Sequence, residues 1–190
     1  MKMTAYLFEN KKKTYLAIAL VFFVLGLWIF YMLWASRIGM RTVLMTSVPV
    51  WLTCITAGSV LGLCIAGRVT WSRPSGKKPK YIIECFFGGL SLGIVTLLNV
   101  YDVCVYLLPG QIIHYQSEYE IKFPGPAVGK YSHCEAGLWI KDIHTQRWLE
   151  LCTNSQELYL QRKPGMNRVQ VTARTNRFGS YIMEYQFVTL

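Results

Sequence analysis

Apolar positions gather into three long runs, residues 14–34, 43–67 and 81–108, and beyond Pro109-Gly110 they break into short runs separated by turn formers. No charge interrupts the stretch from Tyr15 to Trp34. About 20 apolar residues rising ~1.5 Å each cover the roughly 30 Å hydrocarbon core of a bilayer. A surface helix of a water-soluble domain keeps a polar face, which these runs lack. Unpaired peptide groups are costly in lipid, so such runs are expected as helices whose backbone bonds close within the segment. The pattern predicts an integral membrane α-helical unit: a cytoplasmic N-terminus at 1–13, transmembrane helices at 14–34, 43–67 and 81–108, an outer loop at 35–42 and a basic cytoplasmic loop at 68–80. The first run exceeds the roughly 7–15 residues of a signal-peptide core, and Ala35-Ser36-Arg37 makes a poor cleavage site, so it reads as an uncleaved anchor.

The tail has a different texture, with runs rich in β-branched and aromatic residues at 112–122, 137–142, 147–152, 157–162, 168–175 and 180–188. Between them stand turn formers at 124–126, 142–145, 153–155, 163–165 and 176–179. Strands spaced by about ten residues predict a small all-β domain over 109–190, an antiparallel sandwich or barrel. In the last run Tyr181, Met183, Tyr185 and Phe187 alternate with Ser180, Ile182, Glu184, Gln186 and Val188. Side chains alternate across a strand, so the aromatic set is expected to face the core.

Charge gives this layout a direction. Lys2, Lys11, Lys12 and Lys13 precede the first run, Arg37 and Arg41 follow it, and Arg68, Arg73, Lys77, Lys78 and Lys80 separate the second from the third. Basic loop residues are retained on the cytoplasmic side, so the alternation predicts the N-terminus inside and, after three spans, the tail outside. In a Gram-negative cell that is a multi-pass protein of the inner (cytoplasmic) membrane with a periplasmic, extracytoplasmic domain. The formal net charge of +10 is concentrated in the inner segments. Contact with anionic membrane lipid accounts for it, and no nucleic-acid partner is expected.

Orientation makes the two tail cysteines interpretable. Cys134 and Cys152 would stand in an oxidising compartment, where disulfides persist. A hairpin centred on Ile143 sets 134 against 152, 138 against 148 and 139 against 147, and opposed residues ~4.5–5.5 Å apart suit a disulfide. A disulfide-stapled domain is therefore expected, worth roughly 3 kcal/mol on the chain-entropy model. His133, Cys134, His144 and Cys152 are the competing metal set, but they lack paired ligand spacing, and no metal or cofactor is expected. Cys54, Cys64, Cys85 and Cys104 sit in apolar surroundings and read as small hydrophobes.

Within the spans, Trp28, Tyr31 and Trp34 fall where amphipathic rings anchor at an interface. Gly58 and Gly62, and Gly89 and Gly93, form small-xxx-small pairs that let helix backbones approach, either spans two and three within one chain or two copies in a homo-oligomer. Pro49 would kink or start the second helix. Asn99 and Asp102, with Tyr101, form a polar site that is either intramembrane and functional, or at the outer boundary with Asp102 paired to Arg37 or Arg41. Arg162, Lys163, Arg168, Arg174 and Arg177 cluster in sequence near the last two strands, as a partner-binding face or a solvated rim.

The chain contains no Gly-x-Ser-x-Gly, no His-Glu-x-x-His and no phosphate loop, and the tail acids form no catalytic couple by spacing. The expectation is a non-enzymatic membrane protein whose β-domain binds a protein partner on the outer side, such as a toxin or effector immunity protein. The alternative is an accessory or assembly subunit of an envelope or transport complex, with Asp102 as its working residue.

Overall fold

In a computed structural model the first element is a helix, α1 (Lys2–Gly39), followed by a short strand, β1 (Thr42–Leu44), and by α2 (Val50–Trp71), α3 (Lys80–Leu97) and α4 (Val100–Leu107). The structure describes residues 2–71, 80–128 and 132–189, with side chains of α1 from Thr14 onward. Lys2, Lys11, Lys12, Lys13, Arg73, Lys77 and Lys78, on which the predicted orientation leans, lie outside the described side chains.

Three helices are long and apolar enough to cross a membrane: Thr14–Gly39, Val50–Trp71 and Lys80–Leu107. The second starts at residue 50, not 43. Pro49 has no N–H to give and stands just before the first turn, where its C=O accepts from the Thr53 N–H at 3.0 Å. The third is broken between α3 and α4. Asn99, at φ −103° and ψ 13°, leaves helical geometry there and caps α4 without a side-chain hydrogen bond.

Helices α2 and α3 pack through their glycines. A Cβ placed on Gly93 would stand 2.7 Å from the Gly58 Cα, and one on Gly89 would stand 2.8 Å from the Gly62 Cα, so any larger residue forces the backbones apart. Helix α1 lies beside this pair through aromatic residues in its C-terminal half. Trp28 Nε1 donates to Thr96 Oγ1 at 2.9 Å, the Tyr31 hydroxyl to the Thr96 C=O at 3.4 Å, and Trp34 meets Tyr106 edge-on.

The chain then forms β2 (Gln111–Ser117), β3 (Tyr119–Lys122), β4 (Ala127–Val128), β5 (Ser132–His133), β6 (Ala136–Lys141), β7 (Trp148–Thr153), α5 (Ser155–Gln161), β8 (Arg168–Asn176) and β9 (Gly179–Val188). One antiparallel sheet has the order β1-β9-β8-β2, a second has β3-β6-β7, and β4 and β5 form a ribbon. Leu138, Ile140 and Leu151 from the second sheet, Val169, Val171, Ile182 and Phe187 from the first, and Leu158 of α5 share one buried core. This is sandwich packing, in which inward residues of two sheets interdigitate.

The structure corrects the expected elements at four places. Residues 112–122 are two strands, because Ser117 turns its hydroxyl to the Lys141 C=O at 2.7 Å and the chain crosses from one sheet to the other. Residues 157–162 fall mostly on helix α5 and form no strand. Asn154 Oδ1 accepts the Glu157 N–H at 2.6 Å, so the expected turn at 153–155 is an N-cap. In β9, Ile182 pairs with Ala173 and Glu184 with Thr172, leaving Met183 as a bulge that reverses the alternation. Ser180 and Ile182 therefore face inward before the bulge and Phe187 after it, with Tyr185 packed against the core, while Tyr181 and Met183 face away. Finally, β1 makes the connector between α1 and α2 an edge strand of the domain's own sheet, with Val43 opposite Ser180. The β-domain thus includes residues from before α2.

Cys134 and Cys152 are bonded, with Cα atoms 5.6 Å apart. The hairpin register differs from expectation: Cys152 stands opposite Gly137, and Leu138 opposite Leu151. The turn runs from Asp142, whose N–H donates to the Arg147 C=O at 2.8 Å, and Gln146 adopts φ 57° within it. Cys134 lies before β6, where its N–H reaches the Pro126 C=O and its own C=O accepts from Gly125. The disulfide therefore ties the ribbon β4-β5 to β7 and is not a cross-strand rung.

Candidate functional site

The β-domain is fastened to the helix ends nearest it by groups that satisfy one another. A helix leaves its last carbonyls unpaired. At the end of α4, Asn176 Nδ2 donates to the Val105 C=O at 3.1 Å and Arg174 to the Tyr106 C=O at 3.1 Å. A guanidinium at a helix C-terminus also meets the negative end of the dipole. The turn between β8 and β9 brings Phe178 against Tyr101, whose hydroxyl lies 2.8 Å from Thr53 Oγ1 of α2. Tyr181, turned out of the core by the bulge, packs edge-on against Tyr106. On the other flank Met45 N–H donates to the Phe178 C=O, and Arg147 to the Leu44 C=O at 3.1 Å. Helices and sheet are joined from three sides.

At the centre of the domain stands Asp142, which is fully buried. Tyr115 donates to its Oδ1 at 2.8 Å, while Oδ2 receives the Thr145 N–H at 2.8 Å, the Thr145 hydroxyl at 2.7 Å and the Ser180 hydroxyl at 2.9 Å. Four donors from β2, the β6-β7 turn and β9 converge on one carboxylate. Burial first, and then the charge of Asp142, push the Tyr115 phenol far above its ordinary range and keep it a donor. With every oxygen engaged and no exposed surface, Asp142 joins the two sheets and is not open to a substrate. Sequence reasoning passed over it as one of seven tail acids. An Asp at the start of a turn with Thr three residues on is the signal that could have found it.

Asn99 and Asp102 come together over the end of α1: a Cβ on Gly39 would lie 3.4 Å from Asp102 Oδ2 and 3.9 Å from Asn99 Oδ1. Among the described residues no ion pair joins Asp102 to Arg37 or Arg41. Asp102 sits in the first turn of α4, where the helix dipole favours an anion.

The five basic residues do not form one patch. Arg168 pairs with Glu118 at 3.4 Å, Arg162 lies over the Tyr119 ring, and Lys163 stands just beyond α5. Arg174, about 20 Å from Arg168 at ~3.3 Å per residue, closes α4 near the opposite end of β8, and Arg177 just past that end covers Phe178. A run that is close in sequence is separated by the length of the strand that carries it.

Of the histidines, His114 Nδ1 lies 3.0 Å from the Thr172 hydroxyl and His144 Nε2 3.2 Å from the Asn176 C=O. Both cysteines of the competing metal set are committed to the disulfide.

The feature that sequence reasoning missed is α5. Leu158 turns into the core, whereas Tyr159 and Leu160 beside it are 86% and 70% exposed. An aromatic and an aliphatic side chain are displayed together on a capped, anchored turn of helix. Neither family models, nor curated proteins, nor solved structures match this chain.

Proposed function

We propose that this chain is a non-enzymatic protein of the bacterial inner membrane, with its N-terminus in the cytoplasm, whose β-domain binds a protein partner in the periplasm as an immunity protein against a toxin or effector would. The observation that carries this reading is the exposed pair Tyr159 and Leu160 on α5. Aromatic side chains on rigid supports are the usual anchors of protein interfaces, and a few of them supply most of the binding energy. The support is rigid here, because Asn154 caps the helix and Leu158 ties it to the core. The counts of basic residues around the spans support the orientation, and the Cys134–Cys152 disulfide suits an oxidising compartment.

The test is capture by the full chain, because the sheet includes β1 from between the first two helices. Crosslinking of the tagged protein in intact cells is expected to capture a specific envelope or secreted protein. A variant carrying Tyr159→Ala and Leu160→Ala should bind it about 30-fold more weakly, as loss of a ≥ 2 kcal/mol hot spot implies. Capture of no specific protein, or capture unchanged in that variant, would overturn the reading. The accessory-subunit alternative has one observation in its favour, the meeting of Asn99 and Asp102 over Gly39. It alone expects Asp102→Asn to abolish the cellular phenotype at an unchanged protein level.

A further inference from the structure

A cavity of about 590 Å³ opens where the end of α1 meets the flank of the β-domain. Arg37 of the last turn of α1 and Arg41 of the turn between α1 and β1 line it on one side; Glu157 lines it from α5, and Glu184 and Tyr185 from β9. Both arginines and both glutamates line this one cavity, and among the described residues none of the four is ion-paired with another; Glu157 accepts instead from Gln161 at 3.2 Å, Glu184 from Gln186 at 3.1 Å, and Arg41 donates to the Met183 C=O at 3.5 Å. Burial raises the pKa of the Tyr185 phenol, and of the charged groups around it Glu157 and Arg41 both reach it. A cavity lined by both signs of charge with no ion pair between them is complementary to a zwitterion.

Its position suggests where such a zwitterion would come from. Arg37 follows the apolar part of α1 by three residues. Counting back along its face of the helix by steps of four and three gives Leu33, Phe30, Gly26 and Phe23. Leu33, Phe30 and Phe23 are exposed, and nothing lies within 4 Å of a Cβ built on Gly26. An exposed apolar strip, interrupted only by the missing side chain of Gly26, thus runs along the helix from Arg37 toward its N-terminus.

We propose that the cavity holds the head group of a phosphoethanolamine phospholipid from the adjoining leaflet, the phosphate on Arg37 and Arg41, the ammonium on Glu157 and Glu184, and an acyl chain along Leu33, Phe30 and Gly26. This rests on the reading that α1 spans a membrane, but not on which side the domain faces. Guanidinium forks suit phosphate oxygens, and a primary ammonium offers N–H donors to carboxylates where a quaternary one offers none.

The experiment begins with flotation of the full-length protein on liposomes after alkaline washing. Failure to float removes the membrane reading and the proposal with it. Protein that floats is then placed in nanodiscs of phosphatidylethanolamine, phosphatidylcholine and phosphatidylglycerol in equal parts, and the lipids retained on release are measured by native mass spectrometry. Phosphatidylethanolamine should be enriched about ten-fold over each of the others, the scale of one or two charge-assisted hydrogen bonds. Glu157→Gln with Glu184→Gln should erase that preference while leaving phosphatidylglycerol bound, and Arg37→Gln with Arg41→Gln should lose all three. Equal retention of the three lipids by the native chain, or a preference that survives both double variants, would overturn the site.

Discussion

Replacing Asp142 with alanine is expected to destabilise the β-domain by about 3–5 kcal/mol, since each buried group left without its partner costs roughly 1–3 kcal/mol and four donors lose theirs at once. The carboxylate receives Tyr115, Thr145 twice and Ser180, and no water reaches it. Hydroxyl groups can rotate in search of other acceptors, but the Thr145 N–H is fixed by the turn, so part of the loss is irrecoverable. Asp142→Asn should cost less. Its single oxygen can keep Thr145 and Ser180 while its amide faces the Tyr115 hydroxyl, which can accept as well as donate. Tyr115→Phe deletes one donor of the four and should cost about 1 kcal/mol. Thermal unfolding of the full chain in detergent should show this order, with the alanine variant melting about 15 °C or more below the native protein. Equal, small shifts in all three would show that the network contributes little.

Removing the disulfide by Cys134→Ser with Cys152→Ser is expected to cost roughly 3 kcal/mol on the chain-entropy model. The two cysteines are 18 residues apart in sequence. The damage should be uneven. The bond ties the β4-β5 ribbon to β7, while β8 and β9 are held by Val169, Val171, Ile182 and Phe187 in the core. Limited proteolysis of the double variant should therefore cut first between residues 123 and 135 and leave 168–188 intact. Cutting distributed evenly over the domain would show that the bond supports the whole sandwich.

Much of this arrangement is legible along the chain where the physics is local. Apolar runs announce helices because lipid admits no polar face, and Gly58, Gly62, Gly89 and Gly93 announce a close crossing because only glycine permits one. Cys134 and Cys152 announce a bond by being alone in the tail. What escapes is what depends on partners distant in sequence. The strand β1 straddles the start of an apolar run, and nothing in Thr42, Val43 and Leu44 says that β9 will pair with them. The bulge at Met183 exists only relative to Thr172 and Ala173, so strict alternation carries Tyr181 to the wrong side. The hairpin register turns on Asp142 closing its loop at Arg147, a choice that spacing from the cysteines does not reveal. For the candidate sites the division is the same: Asn99, the N-cap of α4, and Asp102 in its first turn are local neighbours, whereas Arg168 and Arg174 are close in sequence and held apart by β8.

The proposed function has three helices holding the β-domain on the outer face of the cytoplasmic membrane. It is tested most directly by protease treatment of spheroplasts carrying distinct tags at the two ends of the full chain. The account predicts that the C-terminal tag is lost while the membrane is intact and that the N-terminal tag is lost only after lysis. A C-terminal tag protected until lysis would contradict it.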